Sequence, residues 1–160
     1  MITNTQDLLI EKASSILKEF SSTSSLSLVM SCSFLGLQFK AENLKVFYPN
    51  KKSPLADYVL VMTATNLTQA NAMAENIILF LKNQKMRYRV EGLHSADWIL
   101  IDLQDILIHI FLPETRDLYN LDQLYAHIEK INVPDEFYSQ QIMSVETTAA
   151  SKNTNYQDYF

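Results

Sequence analysis

Two runs of alternating side chains, Trp98-Ile-Leu-Ile-Asp-Leu103 and Ile106-Leu-Ile-His-Ile-Phe111, stand only two residues apart, at Gln104-Asp105. Runs rich in β-branched and aromatic residues at that separation read as a hairpin, because two residues suffice to reverse an extended chain. Pairing Leu103 with Ile106 sets the register, and the period of two then sorts the side chains onto two faces. One face is Ile99, Ile101, Leu103, Ile106, Ile108 and Ile110, wholly aliphatic and therefore core. The other is Trp98, Leu100, Asp102, Leu107, His109 and Phe111. A carboxylate, an imidazole and two large aromatics among leucines make poor interior, whereas interfaces favour aromatic anchors mixed with a few polar groups. Either a helix of the same chain covers that face, leaving Asp102 and His109 as satisfied internal groups, or a partner does. The composition favours the partner.

The rest of the chain supplies what must pack on the aliphatic face. Residues 6–20 carry Leu8, Leu9, Ala13, Ile16, Leu17 and Phe20 near helical spacing. Ser21–Ser25 is a low-complexity break, and a second helix is expected over 28–41. Lys45–Tyr48 reads as a short strand closed by a turn-prone stretch, Pro49–Pro54. Tyr58-Val-Leu-Val-Met-Thr63 is a nearly unbroken apolar run, the pattern of a strand buried on both faces. A helix follows, with Asn66 as cap, Gln69 at the reciprocal capping position, and a stripe from Ala70 to Leu81. Its last turn holds Lys82 and Lys85, where positive charge suits the helix dipole. Tyr88–Glu91 is the next strand expected, and after Pro113 a helix over 121–131 capped by Asn120. Beyond Pro134 periodicity fades and Ser, Thr, Asn and Gln dominate, so a mobile polar tail to Phe160 is expected.

Composition excludes several classes of function. The chain has two glycines, Gly36 and Gly92, far apart, so neither a dinucleotide fingerprint nor a phosphate-cradling loop can be built. One cysteine, Cys32, permits no internal disulfide and fits a reducing compartment. The longest greasy stretch, 26–39, is too short to span a bilayer, and a soluble cytoplasmic protein is expected. A net charge of −5 disfavours loose attraction to nucleic acid. The charge is also segregated. Lys82, Lys85, Arg87 and Arg89 cluster, whereas 91–129 holds eight acids against the single base Arg116. An acidic stretch of this kind is a solvated face or a surface shaped for a basic protein.

Several short motifs occur in register over 41–131. They are Ala56-Asp57-Tyr58, Val90-Glu91-Gly92, His94-Ser-Ala-Asp-Trp98 leading into Asp102-x-x-Asp105-Ile-x-Ile-His109, and Arg116-x-x-Tyr119-x-Leu121-x-x-Leu124. Together they resemble the ribosomal silencing factor (Iojap) family. The resemblance implies an α/β (α+β) domain with a mixed sheet packed with helices, similar to nucleotidyltransferases but without their catalytic residues. It covers 41–131 as the silencing-factor domain; the poorly matched segment 1–40 reads as an N-terminal helical extension, and 132–160 as an extra, flexible polar tail. Its implied partner is the large ribosomal subunit, bound through its fourteenth ribosomal protein so that the small subunit cannot join and translation is repressed. Self-association of the free protein is also implied. Carried over by position, the partner-facing candidates are Trp98, Asp102, Asp105, His109, Arg116 and Tyr119, and the hairpin face adds Leu100, Leu107 and Phe111. The chain departs from the family at Ala64-Thr65-Asn66, where Gly-Thr-Ser is usual, and at Gln104, where the hairpin usually turns on glycine.

Catalysis is disfavoured on the residues themselves. Nucleotidyl transfer needs a Gly-Ser turn before the helix and paired carboxylates on an adjacent strand, and Arg87–Glu91 offers no such pair. No cofactor is expected. His94, Asp97, Asp102 and His109 lack the spacing of a metal site. Cys32 is expected as core filler. The alternative function is RNA or nucleotide binding on the same fold, with Lys82, Lys85, Arg87, Tyr88 and Arg89 as a peripheral contact to ribosomal RNA.

Overall fold

The hairpin forms in the expected register. In the computed structural model, which describes residues 4–20, 24–50 and 56–139, β4 (Trp98–Asp102) and β5 (Ile106–Phe111) pair Trp98 with Phe111 and Asp102 with Leu107. The Leu103 N–H continues that register by donating to the Ile106 carbonyl. Gln104 takes φ 73°, and the Asp105 N–H donates to the Leu103 carbonyl, the pattern of a γ-turn. A side chain thus stands where glycine would pay no steric cost.

The hairpin is one part of a six-stranded sheet in the order β3-β4-β5-β2-β1-β6. Its other members are β1 (Glu42–Tyr48), β2 (Tyr58–Thr63), β3 (Arg89–Glu91) and β6 (Glu129–Ile131). All pairings are antiparallel except β2 with β5. Antiparallel neighbours join through short turns, but a parallel pair needs a long crossover. Here the crossover contains α3 (Leu67–Asn83), β3 and β4. The expected cap holds α3: Asn66 accepts from the Gln69 N–H at 2.8 Å, and Gln69 reaches back to the Thr65 N–H at 2.8 Å.

One sheet face carries Leu60, Met62, Ile99, Ile101, Ile106 and Ile108, all fully buried. Over it lie α3, α1 (Thr5–Glu19) and α2 (Ser24–Gln38), which share one hydrophobic cluster with those strands. The N-terminal helices are therefore joined to the sheet by packing, on the face opposite Trp98 and His109. Gln6 donates to Asn76, and Gln84 donates to Ser14, so α1 and α3 run parallel with a constant offset. Gly36 lets α2 approach β2, since a Cβ there would collide with Met62 Sδ.

Four expectations about elements are corrected. Helix α2 starts at Ser24 and ends at Gln38 rather than spanning 28–41, because its serines are satisfied inside the helix. Ser31 and Ser33 donate to the carbonyls of Ser27 and Val29 one turn back. The expected break at Ser21–Ser25 therefore already includes helix, and 21–23 lie outside the described residues, as do 51–54 of the turn after β1. The helix expected over 121–131 is α5 (Leu121–Leu124) alone, followed by β6, which pairs with β1. Before it stands an unexpected helix, α4 (Pro113–Tyr119), opened by a proline at its first turn. In the expected tail, α6 (Asp135–Ser139) docks: Phe137 is buried with its ring edge-on to Phe34 at 5.6 Å. Residues 140–160 of that tail lie outside the described residues.

Candidate functional site

The register aligns Leu107, His109 and Phe111 with Val59, Val61 and Thr63 on the second sheet face. The chain after β5 covers only part of that face. Asn120 adopts φ 45°, ending α4 and capping α5 through Gln123, which folds 121–128 back over the sheet. Leu121, Tyr125 and Ile128 then pack on Phe47, Val59, Val61 and Phe111 as a second, smaller core. Arg116 locks the fold-back. Its Nε and Nη2 both donate to the Asp122 carboxylate at 3.0 Å, and Nη1 donates to Thr63 Oγ1 at 2.8 Å. Lys45 adds a bond to the same carboxylate at 2.9 Å.

Four rings meet at the border between the covered and the open parts. Trp98 lies 5.1 Å from Phe111, 5.8 Å from His109 and 4.5 Å from Tyr119, centroid to centroid. The indole Nε1 donates to His109 Nδ1 at 3.1 Å, so Nδ1 is the unprotonated nitrogen. Burial pushes the His109 pKa down to about 4, which keeps the ring neutral. Trp98 is half-buried and Tyr119 is 51% exposed, so these two rings face outward. Leu100 and Leu107 continue the half-buried strip along the hairpin. Asp102 ends it, accepting from Arg89 at 3.2 Å and from the Gln104 N–H at 2.8 Å.

The structure divides the expected site residues into two groups. Trp98, Leu100, Asp102, Asp105, Leu107 and Tyr119 reach solvent on this side or at its rim. Phe111, His109 and Arg116 do not face a partner in this conformation: Phe111 is fully buried, and the other two nearly so. They hold up the surface from beneath. Two outward residues were missed, Leu118 (78% exposed) and Leu124 (60% exposed). Among the described residues, three of the six exposed large apolar side chains fall within 118–124, and exposed apolar patches mark interaction surfaces. Asp97, Glu114 and Asp117, close to them in sequence, are exposed acids, and Asp105 is exposed at the opposite end of the hairpin, in its turn.

Other candidate chemistry does not converge. Among the described residues no three His, Cys, Asp or Glu side chains are grouped to hold a metal ion. His94 pairs with Glu75 at 2.9 Å on the exposed side of α3. Cys32 is fully buried, and burial pushes its thiol up to about 12. The described residues contain no helix long and apolar enough to cross a membrane. Lys82, Lys85 and Arg87 are exposed, but Tyr88 packs partly into the main core.

Known proteins with this pattern converge on one family. The family model described as "Ribosomal silencing factor during starvation" matches residues 23–158. A ribosomal silencing factor from Zymomonas mobilis is 35% identical over 94 residues, covering 58% of this chain and 68% of that protein. The "Mitochondrial assembly of ribosomal large subunit protein 1" of Mus musculus is 26% identical over 113 residues, covering 62% of this chain and 50% of that protein. A crystal structure of a protein from Bacillus halodurans superposes with a TM-score of 0.58 at 27% identity, covering 68% of this chain and 96% of that one. With the family model spanning most of its length, a mixed sheet in the same fold and the aromatic hairpin face in place, the chain belongs to the ribosomal silencing factor family.

Proposed function

We propose that this protein binds the large ribosomal subunit through the fourteenth protein of that subunit and sterically prevents the small subunit from joining, so that translation is repressed. The observation that carries the reading is the outward pair Trp98 and Tyr119, in ring contact at 4.5 Å, in a stretch of chain whose Asp97, Glu114, Asp117, Leu118 and Leu124 are also exposed. Trp98 and Tyr119 are the anchors, since buried aromatics dominate interface energetics. The exposed acids Asp97, Glu114 and Asp117, with Asp105 at the far end of the hairpin, suit a basic ribosomal protein and would set encounter rate and register. The role requires occupancy of a surface rather than turnover, and no catalytic residue enters it. The same patch suits self-association of the free protein.

A second reading is peripheral contact with ribosomal RNA by Lys82, Lys85 and Arg87. It is favoured by their exposure without an ion-pair partner among the described residues. Sedimentation with isolated large and small subunits at two salt concentrations tests both readings. Co-migration with the large subunit alone, and fewer joined ribosomes on adding small subunits, supports silencing. A steep loss of binding with salt supports the RNA contact. A protein that remains at the top of the gradient contradicts both.

A further inference from the structure

Trp98 and His109 are diagonal neighbours on the hairpin. Trp98 sits opposite Phe111, and His109 sits opposite Leu100. Diagonal positions are far apart for small side chains but within reach of two rings. Here the indole N–H bridges the diagonal to an imidazole that lies beneath the surface. A partly buried indole N–H left without an acceptor is costly, so the ring orients to meet whatever acceptor is present. The same orientation sets the indole against Phe111 below and Tyr119 beside it. An imidazole at 109 therefore does what no apolar residue of similar size would do. It selects one rotamer of the outward aromatic.

We propose that His109 is a positioning residue, which accepts the Trp98 N–H and thereby fixes the indole in the orientation the docking surface presents to its partner. This rests on the reading of that surface given above. His109 itself does not touch the partner. Fixing a ring before association lowers the ordering cost of binding, so the effect appears as affinity rather than as fold.

The chain has one tryptophan, so a 15N-labelled sample shows one indole N–H resonance that reports this bond alone. His109→Phe fills the ring space without an acceptor, and His109→Gln restores an acceptor. His109→Phe is expected to shift the indole resonance upfield, speed its exchange with water and weaken binding to isolated large subunits about tenfold. His109→Gln should keep both closer to the parent protein. In a Trp98→Phe background, His109→Phe should add no further loss. His109→Leu takes its place if thermal unfolding shows that the second ring overpacks. An unmoved indole, or an equal loss of affinity in both backgrounds, overturns the positioning role. Normal affinity of Trp98→Ala, with the indole still moved by His109→Phe, instead rejects the docking surface and the function of this bond with it.

Discussion

Arg116 grips Asp122 with two parallel hydrogen bonds, Nε to Oδ2 and Nη2 to Oδ1, both at 3.0 Å, across the chain reversal at Asn120. Two-pronged pairs of this kind set geometry as well as energy. The third bond, from Nη1 to Thr63, ties the reversal to the end of β2. Arg116→Lys keeps the charge but cannot make the fork, and should lower stability by about 2 kcal/mol in urea unfolding. An unchanged midpoint would contradict this structural role. The Arg116 hydrogen bonds, with help from Lys45 and against desolvation, hold the Asp122 carboxyl well below the usual carboxylate range. The folded state therefore binds that proton more weakly than the unfolded chain. Asp122 contributes stability above pH ~4 and loses it as pH falls further. Asp122→Asn should flatten that acid loss.

His109 predicts a second pH dependence in a different window. Its folded pKa, lowered by burial to about 4, lies below the ordinary histidine value of 6.5. Between those values the unfolded chain binds the proton and the folded protein does not, so stability falls as pH falls from 6.5 toward 4. Between pH 7 and pH 5 the loss should be about 2 kcal/mol in the parent protein and absent in His109→Gln. Equal losses in both would show that other groups carry it.

Gln104 occupies a left-handed position at φ 73°. Such a conformation costs a residue with a side chain about 1–2 kcal/mol, which glycine avoids at a smaller cost in unfolded-state entropy. Gln104→Gly should therefore raise stability by about 0.5–1 kcal/mol, read from thermal or urea unfolding, with subunit binding unchanged. A decrease would mean that the Gln104 side chain stabilises the turn.

Phe137 anchors α6 against Phe34 in the main core. Phe137→Ala opens a cavity there and should cost about 3 kcal/mol. A cost below about 0.5 kcal/mol, the range of surface changes, would return the segment to the status of a polar tail.

The parts of this fold legible in the sequence are those with a strict local period or a cap. The hairpin register followed from a two-residue gap between alternating runs, and α3 from Asn66 and Gln69. Serines concealed the start of α2, because bonding one turn back lets them lie buried in a helix. Pro113 followed by Glu114 is a local start signal for α4, whereas β6 has three residues and no alternation to read. The candidate site was legible as a face and not as a surface. Whether Phe111 and Arg116 point at solvent depends on 121–128 folding back over β1 and β2, a long-range contact that no local spacing encodes.

Docking through the surface around Trp98 is measured directly by subunit joining. Equal amounts of isolated large and small subunits are mixed with the parent protein or with Trp98→Ala, and joined ribosomes are quantified on a sucrose gradient. The account predicts that the parent protein depletes the joined peak. Trp98→Ala, folded by circular dichroism, should leave that peak intact and no longer migrate with the large subunit, a loss of about 2 kcal/mol or more in binding. Depletion by Trp98→Ala equal to that by the parent protein would contradict the account and place the docking surface elsewhere on the molecule.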